Sequence, residues 1–171
     1  MPASTPVELA LAPPERRGVL ARMLELYQHD LSHIWDQDLD ERGEYGYALD
    51  RYWSDAGCFP YLVLVQGQFA GFALVDRATK LPGGDLWLDQ FFVMKKYRRR
   101  GIGMRAAHEV FARHQGRWQV GQMTDNAPAT AFWRSAIASF TGGRFEEHAV
   151  TDGWWQGTIQ AFNVVDASPR A

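Results

Sequence analysis

A strand, a basic turn and a helix start in the middle of the chain constrain its fold most. Residues 86–94 are apolar except for two polar positions, and such a run predicts a buried strand. After the turn comes Gly101-x-Gly103, and the apolar spacing over residues 104–114 predicts an amphipathic helix. The first N–H groups of a helix have no partner within it, and its dipole favours negative charge there. The segment therefore predicts a cradle for phosphate groups.

Consecutive arginines at positions 98–100 precede the glycines and supply formal positive charge. The glycines allow the backbone to approach a ligand closely because they have no Cβ atom. We therefore interpret the segment as a pyrophosphate site. Two alternatives stay open: the glycines form only a tight turn, or Gly101-x-Gly103-x-x-Ala106 is a Rossmann dinucleotide fingerprint. The polar residues 95–100 and a position past the middle of the chain disfavour the Rossmann fold.

Two blocks of this sequence resemble the acyl-CoA-binding motifs of the GNAT superfamily of N-acyltransferases. The first is the signature Arg/Gln-x-x-Gly-x-Gly/Ala, whose defining positions are filled here by Arg98, Gly101 and Gly103. The second, Asn126-x-x-Ala129 followed by Phe132-Trp133, is similar to the family's downstream helix Asn-x-x-Ala-x-x-x-Tyr. The two blocks stand in the family's order and at its separation, with a strand-like segment between them.

The order of predicted elements, β-α-α-β-β-β-α-β-α-β-β, extends the resemblance over nearly the whole chain. It implies an α/β (α+β) GNAT fold: a mixed, mostly antiparallel twisted sheet of about seven strands with helices on both faces. It also implies acetyl-CoA as the acyl-donor cosubstrate. The residues that the resemblance assigns to its binding are Phe92, Val93, Arg98, Arg99, Arg100, Gly101, Ile102, Gly103, Met104, Asn126, Ala129 and Trp133.

The length, composition and net charge of the chain limit which other classes of function are possible. At 171 residues it has the length of one domain, which we place at residues 5–166 with a loose tail over residues 167–171. An apolar content of 46% excludes a disordered chain, and a net charge of −2 gives no reason to expect a nucleic-acid partner. No apolar stretch is long enough for a membrane span, no metal site is expected, and a single cysteine, Cys58, favours the cytoplasm.

The resemblance implies direct attack of a primary amine on the thioester of acetyl-CoA. Such an amine is mostly protonated at neutral pH, so it must lose a proton first. Asp89 is the candidate base, because it is a carboxylate in an apolar strand, and strand alternation predicts that it shares a face with Phe91 and Val93. The resemblance makes the main-chain N–H of Val93 the oxyanion donor. The alternatives are a structural role for Asp89 at a strand fork and an ordered water as the base.

Trp133 stands where the resemblance expects a tyrosine as the general acid. An indole N–H has no usable acidity, so Trp133 cannot protonate a thiolate, although it can wall the thioester pocket. Three functions therefore stay open: an N-acetyltransferase, a CoA-binding regulatory or sensor module without turnover, and a nucleotide-binding oxidoreductase. The two motif blocks favour the first.

Aromatic and acidic residues identify the acceptor side of the predicted site. Residues 30–44 are rich in aspartate and glutamate, which predicts attraction of a cationic substrate. Tyr27, Tyr47, Tyr52 and Trp154 are candidate contacts for the amine of a small molecule or a peptide. The alternative is that these aromatic side chains pack in the core or in a homodimer interface.

Overall fold

The computed structural model describes residues 5–165, so the predicted domain end at residue 166 and the tail predicted for residues 167–171 lie outside the described residues. The strands are β1 (Val7–Leu11), β2 (Phe59–Val65), β3 (Gln68–Asp76), β4 (Leu86–Val93), β5 (Gly116–Met123), β6 (Glu146–Val150) and β7 (Gly157–Val164). The helices are α1 (Arg17–Trp35), α2 (Arg51–Ser54), α3 (Ile102–Ala112) and α4 (Ala127–Thr141). Strands and helices follow one another in the order that the sequence predicts.

The strands form one sheet of seven in the order β1-β2-β3-β4-β5-β7-β6. All neighbouring strands are antiparallel except β4 and β5, which pair in parallel. This is the mixed, mostly antiparallel sheet that the sequence predicts. A Rossmann fold has a mostly parallel, doubly wound sheet instead, so the Rossmann alternative is wrong.

Side chains on the two faces of the sheet belong to two hydrophobic cores. In β3, Ala73 and Val75 face one core and Phe72 and Leu74 face the other, as strand alternation requires. Helices α3 and α4 cover the first face, and α1 and α2 cover the second. Helices therefore lie on both faces of the sheet, as predicted.

Two irregularities of β4 open the sheet near its centre. Gln90 lies opposite Leu74 and Leu88 lies opposite Val75, so Asp89 has no partner on β3 and forms a β-bulge. The parallel pairing of β4 with β5 ends at Leu88. Beyond this point β4 and β5 separate into a fork, and Asp89 is the first residue of β4 inside it.

Phe111→Ala is expected to lower the free energy of unfolding by about 3–5 kcal/mol, the usual effect of removing a large buried aromatic side chain. Phe111 is fully buried, and its ring centroid lies 5.2 Å from that of Trp118 and 4.9 Å from that of Phe162. Urea denaturation followed by circular dichroism measures the change. Leu26→Ala, at a residue of α1 that is 50% exposed, is the control and should cost less than about 1 kcal/mol. Equal losses would contradict this assignment of the core.

Candidate active site

A cavity of about 1050 Å³ opens at the fork between β4 and β5. It is lined by parts of α1, β4 and β5, by the turn before α3, by the start of α4 and by the loop between β6 and β7. The cavity brings together the residues that the sequence predicts for the site, except Arg100, Ile102, Tyr47 and Tyr52.

The turn before α3 presents unpaired amide groups to this cavity. Gly101 precedes the helix with φ 70°, a left-handed conformation that glycine adopts without strain. The first amide that bonds back toward the turn is that of Arg105, which donates to the carbonyl oxygen of Gly101 at 3.2 Å. Among the described residues, the amides of Ile102, Gly103 and Met104 therefore have no acceptor. The side chain of Ile102 is buried in the core, so only its main chain can reach a ligand.

The arginines of this turn have different partners. Arg98 donates from Nε to the carbonyl oxygen of Val93 at 2.7 Å and from Nη2 to a carboxylate oxygen of Asp30 at 2.5 Å. Its guanidinium therefore ties the end of β4 to α1, and Asp30 offsets its charge. Arg99 lines the cavity and has no carboxylate partner within residues 5–165, whereas Arg100 is exposed outside the lining. Arg99 is thus the cation of this turn that is best placed for a phosphate.

The main chain of β4 directs alternate amide groups into the fork. Met94 donates to the carbonyl oxygen of Ala70 at 2.8 Å, which fixes the alternation of the antiparallel ladder between β3 and β4. In this ladder Phe92 bonds to β3, while Phe91 and Val93 turn their N–H groups away from it and toward the fork. The sequence did not predict a role for the amide of Phe91, because the alternation depends on the register of β4 against β3.

Asp89 is held by hydrogen bonds to one of its carboxylate oxygens. Oδ2 accepts from the hydroxyl groups of Tyr47 at 2.7 Å and Tyr52 at 2.8 Å, and from Nη2 of Arg51 at 3.0 Å. Arg51 also donates to Asp76 at 2.8 Å, so its charge is shared between two carboxylates. Oδ1 accepts no hydrogen bond from the described residues, and the side chain, 18% exposed, lines the cavity. Asp89 therefore has one anchored oxygen and one that is open to the cavity.

The bulge changes which side chains share a face of β4. Phe91 packs against α4, with its ring centroid 6.2 Å from that of Phe132 and 4.9 Å from that of Trp133. Asp89 instead points to the side of α1 and α2. The prediction that Asp89, Phe91 and Val93 share a face is therefore wrong, because the extra residue of the bulge reverses the alternation.

The tyrosines predicted for the acceptor side belong to a hydrogen-bond network around Asp89. Tyr27 donates to Oε1 of Gln90 at 2.6 Å, and Nε2 of Gln90 donates to the hydroxyl oxygen of Tyr47 at 3.3 Å. Only Tyr27 of the three tyrosines lines the cavity. Burial raises the pKa of Tyr27, Tyr47 and Tyr52, and the negative charge of Asp89 raises it further. These hydroxyl groups therefore stay neutral and are weak acids. Gln90 was missed, although it is the second polar position of an apolar strand.

The start of α4 closes the cavity on the side of α3. The side chain of Asn126 accepts a hydrogen bond from the amide of Ala129 at 3.3 Å, which makes it the cap of α4. Trp133 is only 6% exposed and packs against Phe132, with ring centroids 4.9 Å apart. Both aromatic side chains line the cavity. Trp133 therefore acts as a wall and offers no acidic group.

The acceptor end of the cavity is aromatic, and the acidic segment over residues 30–44 contributes little to it. Trp154 is 87% exposed, and Trp155 packs edge-on against Trp87, with ring centroids 5.8 Å apart. Of the acidic segment after Tyr27, only Asp30 contributes a carboxylate to the lining, and Arg98 pairs with it. The lining therefore gives no support to the predicted attraction of a cationic acceptor by this segment.

No helix within residues 5–165 combines the length and the apolar character needed to cross a lipid bilayer. Over the same range, no three His, Cys, Asp or Glu side chains come together as ligands for a metal ion.

The sequence profile of the acetyltransferase (GNAT) family matches residues 20–136, which is more than half of the chain. The chain therefore belongs to the GNAT family of acetyltransferases. It is an acyltransferase, and its family implies acetyl transfer from acetyl-CoA. No curated protein matches this sequence closely enough to count as a relative.

Solved structures of acetyltransferases share the fold. An acetyltransferase from Thermus thermophilus has a TM-score of 0.70 at 18% identity, over 94% of this chain and 99% of that one. Aminoglycoside acetyltransferase AAC(6')-Ib, in complex with coenzyme A, has a TM-score of 0.64 at 15% identity, over 92% and 95%. RimJ from Mycobacterium smegmatis, in complex with CoA-disulfide, has a TM-score of 0.58 at 15% identity, over 92% and 81%. These similarities confirm the predicted GNAT fold.

Proposed function

We propose that the protein acetylates a primary amine of a small molecule or a peptide by direct attack on acetyl-CoA in a ternary complex. The observation that carries this proposal is the fork of β4 and β5, where Asp89, the main chain of β4 and the turn before α3 line one cavity. One end of the cavity suits a pyrophosphate, and the other is open to an acceptor. The cytoplasmic location and the homodimer stay predictions from the sequence.

The donor is proposed to bind along β4. The unpaired amides at the start of α3 and the guanidinium of Arg99 bind its pyrophosphate, because a helix start favours anions. The N–H groups of Phe91 and Val93 face the thioester end of the fork. A donor there polarises the thioester carbonyl and stabilises the oxyanion that forms during attack. The aromatic side chains of Phe132 and Trp133 line the cavity at this end.

The reaction joins the acceptor nitrogen to the acetyl carbon and breaks the bond from that carbon to sulfur. An acceptor that arrives as an ammonium ion loses two protons. Oδ1 of Asp89 accepts the first, directly or through one water, and the nitrogen releases the second to water once the new bond to the acetyl carbon has formed. The three hydrogen bonds to Oδ2 keep the carboxylate in place. The CoA thiolate leaves and takes a proton from water, since Trp133 has none to give and burial raises the pKa of Tyr27.

A CoA-binding regulatory or sensor module without turnover is the second candidate function. Trp133 favours it, because this residue occupies the position of the family's tyrosine and carries no proton for the leaving thiolate. Such a module would keep the donor half of the cavity and lose acetyl transfer.

Release of free thiol from acetyl-CoA, measured over a panel of primary amines, tests the proposed function. We expect thiol release that requires both acetyl-CoA and an amine, with the acetamide product identified by mass spectrometry. Calorimetric titration of acetyl-CoA and CoA measures binding without turnover. Tight binding with no acceptor-dependent release for any amine would favour the sensor, and absence of binding would refute both functions.

A further inference from the structure

Lys80, in the loop between β3 and β4, is held at the acceptor end of the cavity by a buried side chain. Gln119 is fully buried and accepts hydrogen bonds from the amides of Lys80 at 2.9 Å and Leu81 at 3.0 Å. It also donates to the carbonyl oxygen of Leu81 at 2.9 Å. A buried amide that is bonded through both its oxygen and its nitrogen fixes the main chain that it contacts. The position of Lys80 is therefore set by the fold.

The ammonium group of Lys80 lies against two tryptophan rings. Its Nζ is 4.6 Å from the ring centroid of Trp87 and 5.2 Å from that of Trp154, and it donates to the carbonyl oxygen of Ala78 at 3.2 Å. Rings in this arrangement attract a cation. Here the cation is supplied by the protein itself, so these two rings are not available to cage the ammonium group of an acceptor.

Among the described residues Lys80 has no counter-ion. Asp30 is paired with Arg98 of the turn before α3, and Asp89 shares the charge of Arg51 with Asp76. Lys80 lines the cavity and forms no salt bridge with any residue in the range 5–165. Within the described residues, the ammonium group of Lys80 therefore has no carboxylate at salt-bridge distance and can take an anionic partner from the acceptor.

We infer that Lys80 binds an anionic group of the acceptor, so that the acceptor is a primary amine that also carries a carboxylate. An ammonium group with no counter-ion forms a charge-assisted hydrogen bond with a carboxylate and repels an acceptor with a second amine. Asp125, which directly precedes the cap of α4, also lines the cavity but forms no salt bridge with Lys80. The inference rests on the proposed function, since it names the acceptor class of that reaction.

The spacing along β4 also sets the length of the acceptor. Lys80 lies over Trp87, which is four positions before Phe91, whose amide faces the thioester end. Four residues of extended strand span about 13 Å, and the bulge between them shortens this distance. The amine and the carboxylate must therefore be separated by on the order of 10 Å. A long ω-amino acid or a short peptide spans this distance, and an α-amino acid does not.

Kinetics with matched acceptors test this inference. The acceptors are ω-amino acids from aminobutyrate to aminooctanoate, each compared with its carboxamide. For the wild type, kcat/KM for the longer carboxylates should exceed that for the carboxamides by about tenfold or more. Lys80→Gln should remove most of this preference by raising KM for carboxylates, and should change kcat/KM for carboxamides by less than about threefold. Arg77→Gln removes the same charge outside the cavity lining and should keep the preference.

Binding measured without turnover separates this inference from the proposed function. Aminooctanoate and aminooctanamide are titrated into protein saturated with CoA, and tryptophan fluorescence reports binding. Selective binding of the carboxylate that Lys80→Gln abolishes, together with no acetyl transfer, would support the Lys80 site and refute the proposed function. Equal use of carboxylates and carboxamides by the wild type, an equal effect of Lys80→Gln on both, or binding of neither probe would overturn the inference. Transfer to carboxamides in those cases would leave the proposed function intact.

Discussion

Asp89→Asn is expected to lower turnover on the acceptor amine by about 10² to 10⁴-fold, the usual effect of removing a general base. Oδ1 of Asp89 is the proposed proton acceptor in the cavity, and an uncharged amide cannot take its place. The affinity for acetyl-CoA should stay unchanged, because the phosphate groups are proposed to bind at the turn before α3, beyond the C-terminal end of β4. Steady-state kinetics and calorimetric titration measure these two quantities.

The hydrogen-bond network around Asp89 supplies a matched control. In Asp89→Asn the amide oxygen can accept the hydrogen bonds that Oδ2 accepts now, so the protein should fold with a loss of about 1–3 kcal/mol. Asp76→Asn removes a carboxylate from the same partner, Arg51, but Asp76 is buried outside the cavity lining. It should cost similar stability and lower turnover by less than about tenfold. Equal losses of turnover in both variants would show that Asp89 acts only through the network.

The pH dependence of Asp89→Asn separates proton transfer from structure. A primary amine has a pKa of about 10, so a higher pH supplies more neutral nucleophile without any base. Part of the lost rate should therefore return at high pH in Asp89→Asn, and the ratio of wild-type to variant turnover should shrink. Unchanged turnover in this variant at neutral pH would end the assignment and leave an ordered water as the proton acceptor.

Patterns among near neighbours in the sequence were sufficient to predict most of the fold. The apolar run over residues 86–94 is β4 (Leu86–Val93), and α3 (Ile102–Ala112) begins between the two glycines of the motif. Hydrophobic periodicity indicates which face of an element is buried, and turn residues indicate where it ends. Both signals are local, so a single sequence contains them. The prediction of a phosphate site at the turn before α3 depends on the same local signals.

Contacts between residues that are far apart in the sequence determine the features of the site that the sequence did not predict. The bulge at Asp89 depends on the register of β4 against β3, and β4 alone does not specify which residue is left unpaired. The hydrogen bond from Arg98 to Asp30 joins residues 68 positions apart. It holds the guanidinium of Arg98 against α1, whereas the sequence analysis assigned this cation to the phosphate. Tyr47 and Tyr52, predicted as acceptor contacts, hold Asp89 instead. Residue type alone could not distinguish these roles.

Gly103→Glu is expected to lower the affinity for acetyl-CoA by at least about a hundredfold without unfolding the protein. A Cβ atom on Gly103 would lie 3.4 Å from the ring of Phe132 and 3.7 Å from the side chain of Val93, so a longer side chain would enter the cavity beside β4. Its carboxylate would compete with pyrophosphate for the unpaired amides at the start of α3 and would repel the phosphate charge. Calorimetric titration of acetyl-CoA measures the affinity, and thermal unfolding checks the fold.

Gly103→Gln and Gly103→Ala separate the two causes of this loss. Glutamine has the length of glutamate without its charge, so the difference between these two variants measures repulsion of the phosphates, and it should shrink as added salt screens the charges. Alanine adds only a Cβ atom at contact distance and should lower the affinity by less than about fivefold. A Gly103→Glu protein that folds and binds acetyl-CoA like the wild type would show that the turn before α3 is not the phosphate site. Acetyl-CoA would then have to bind away from the unpaired amides at the start of α3.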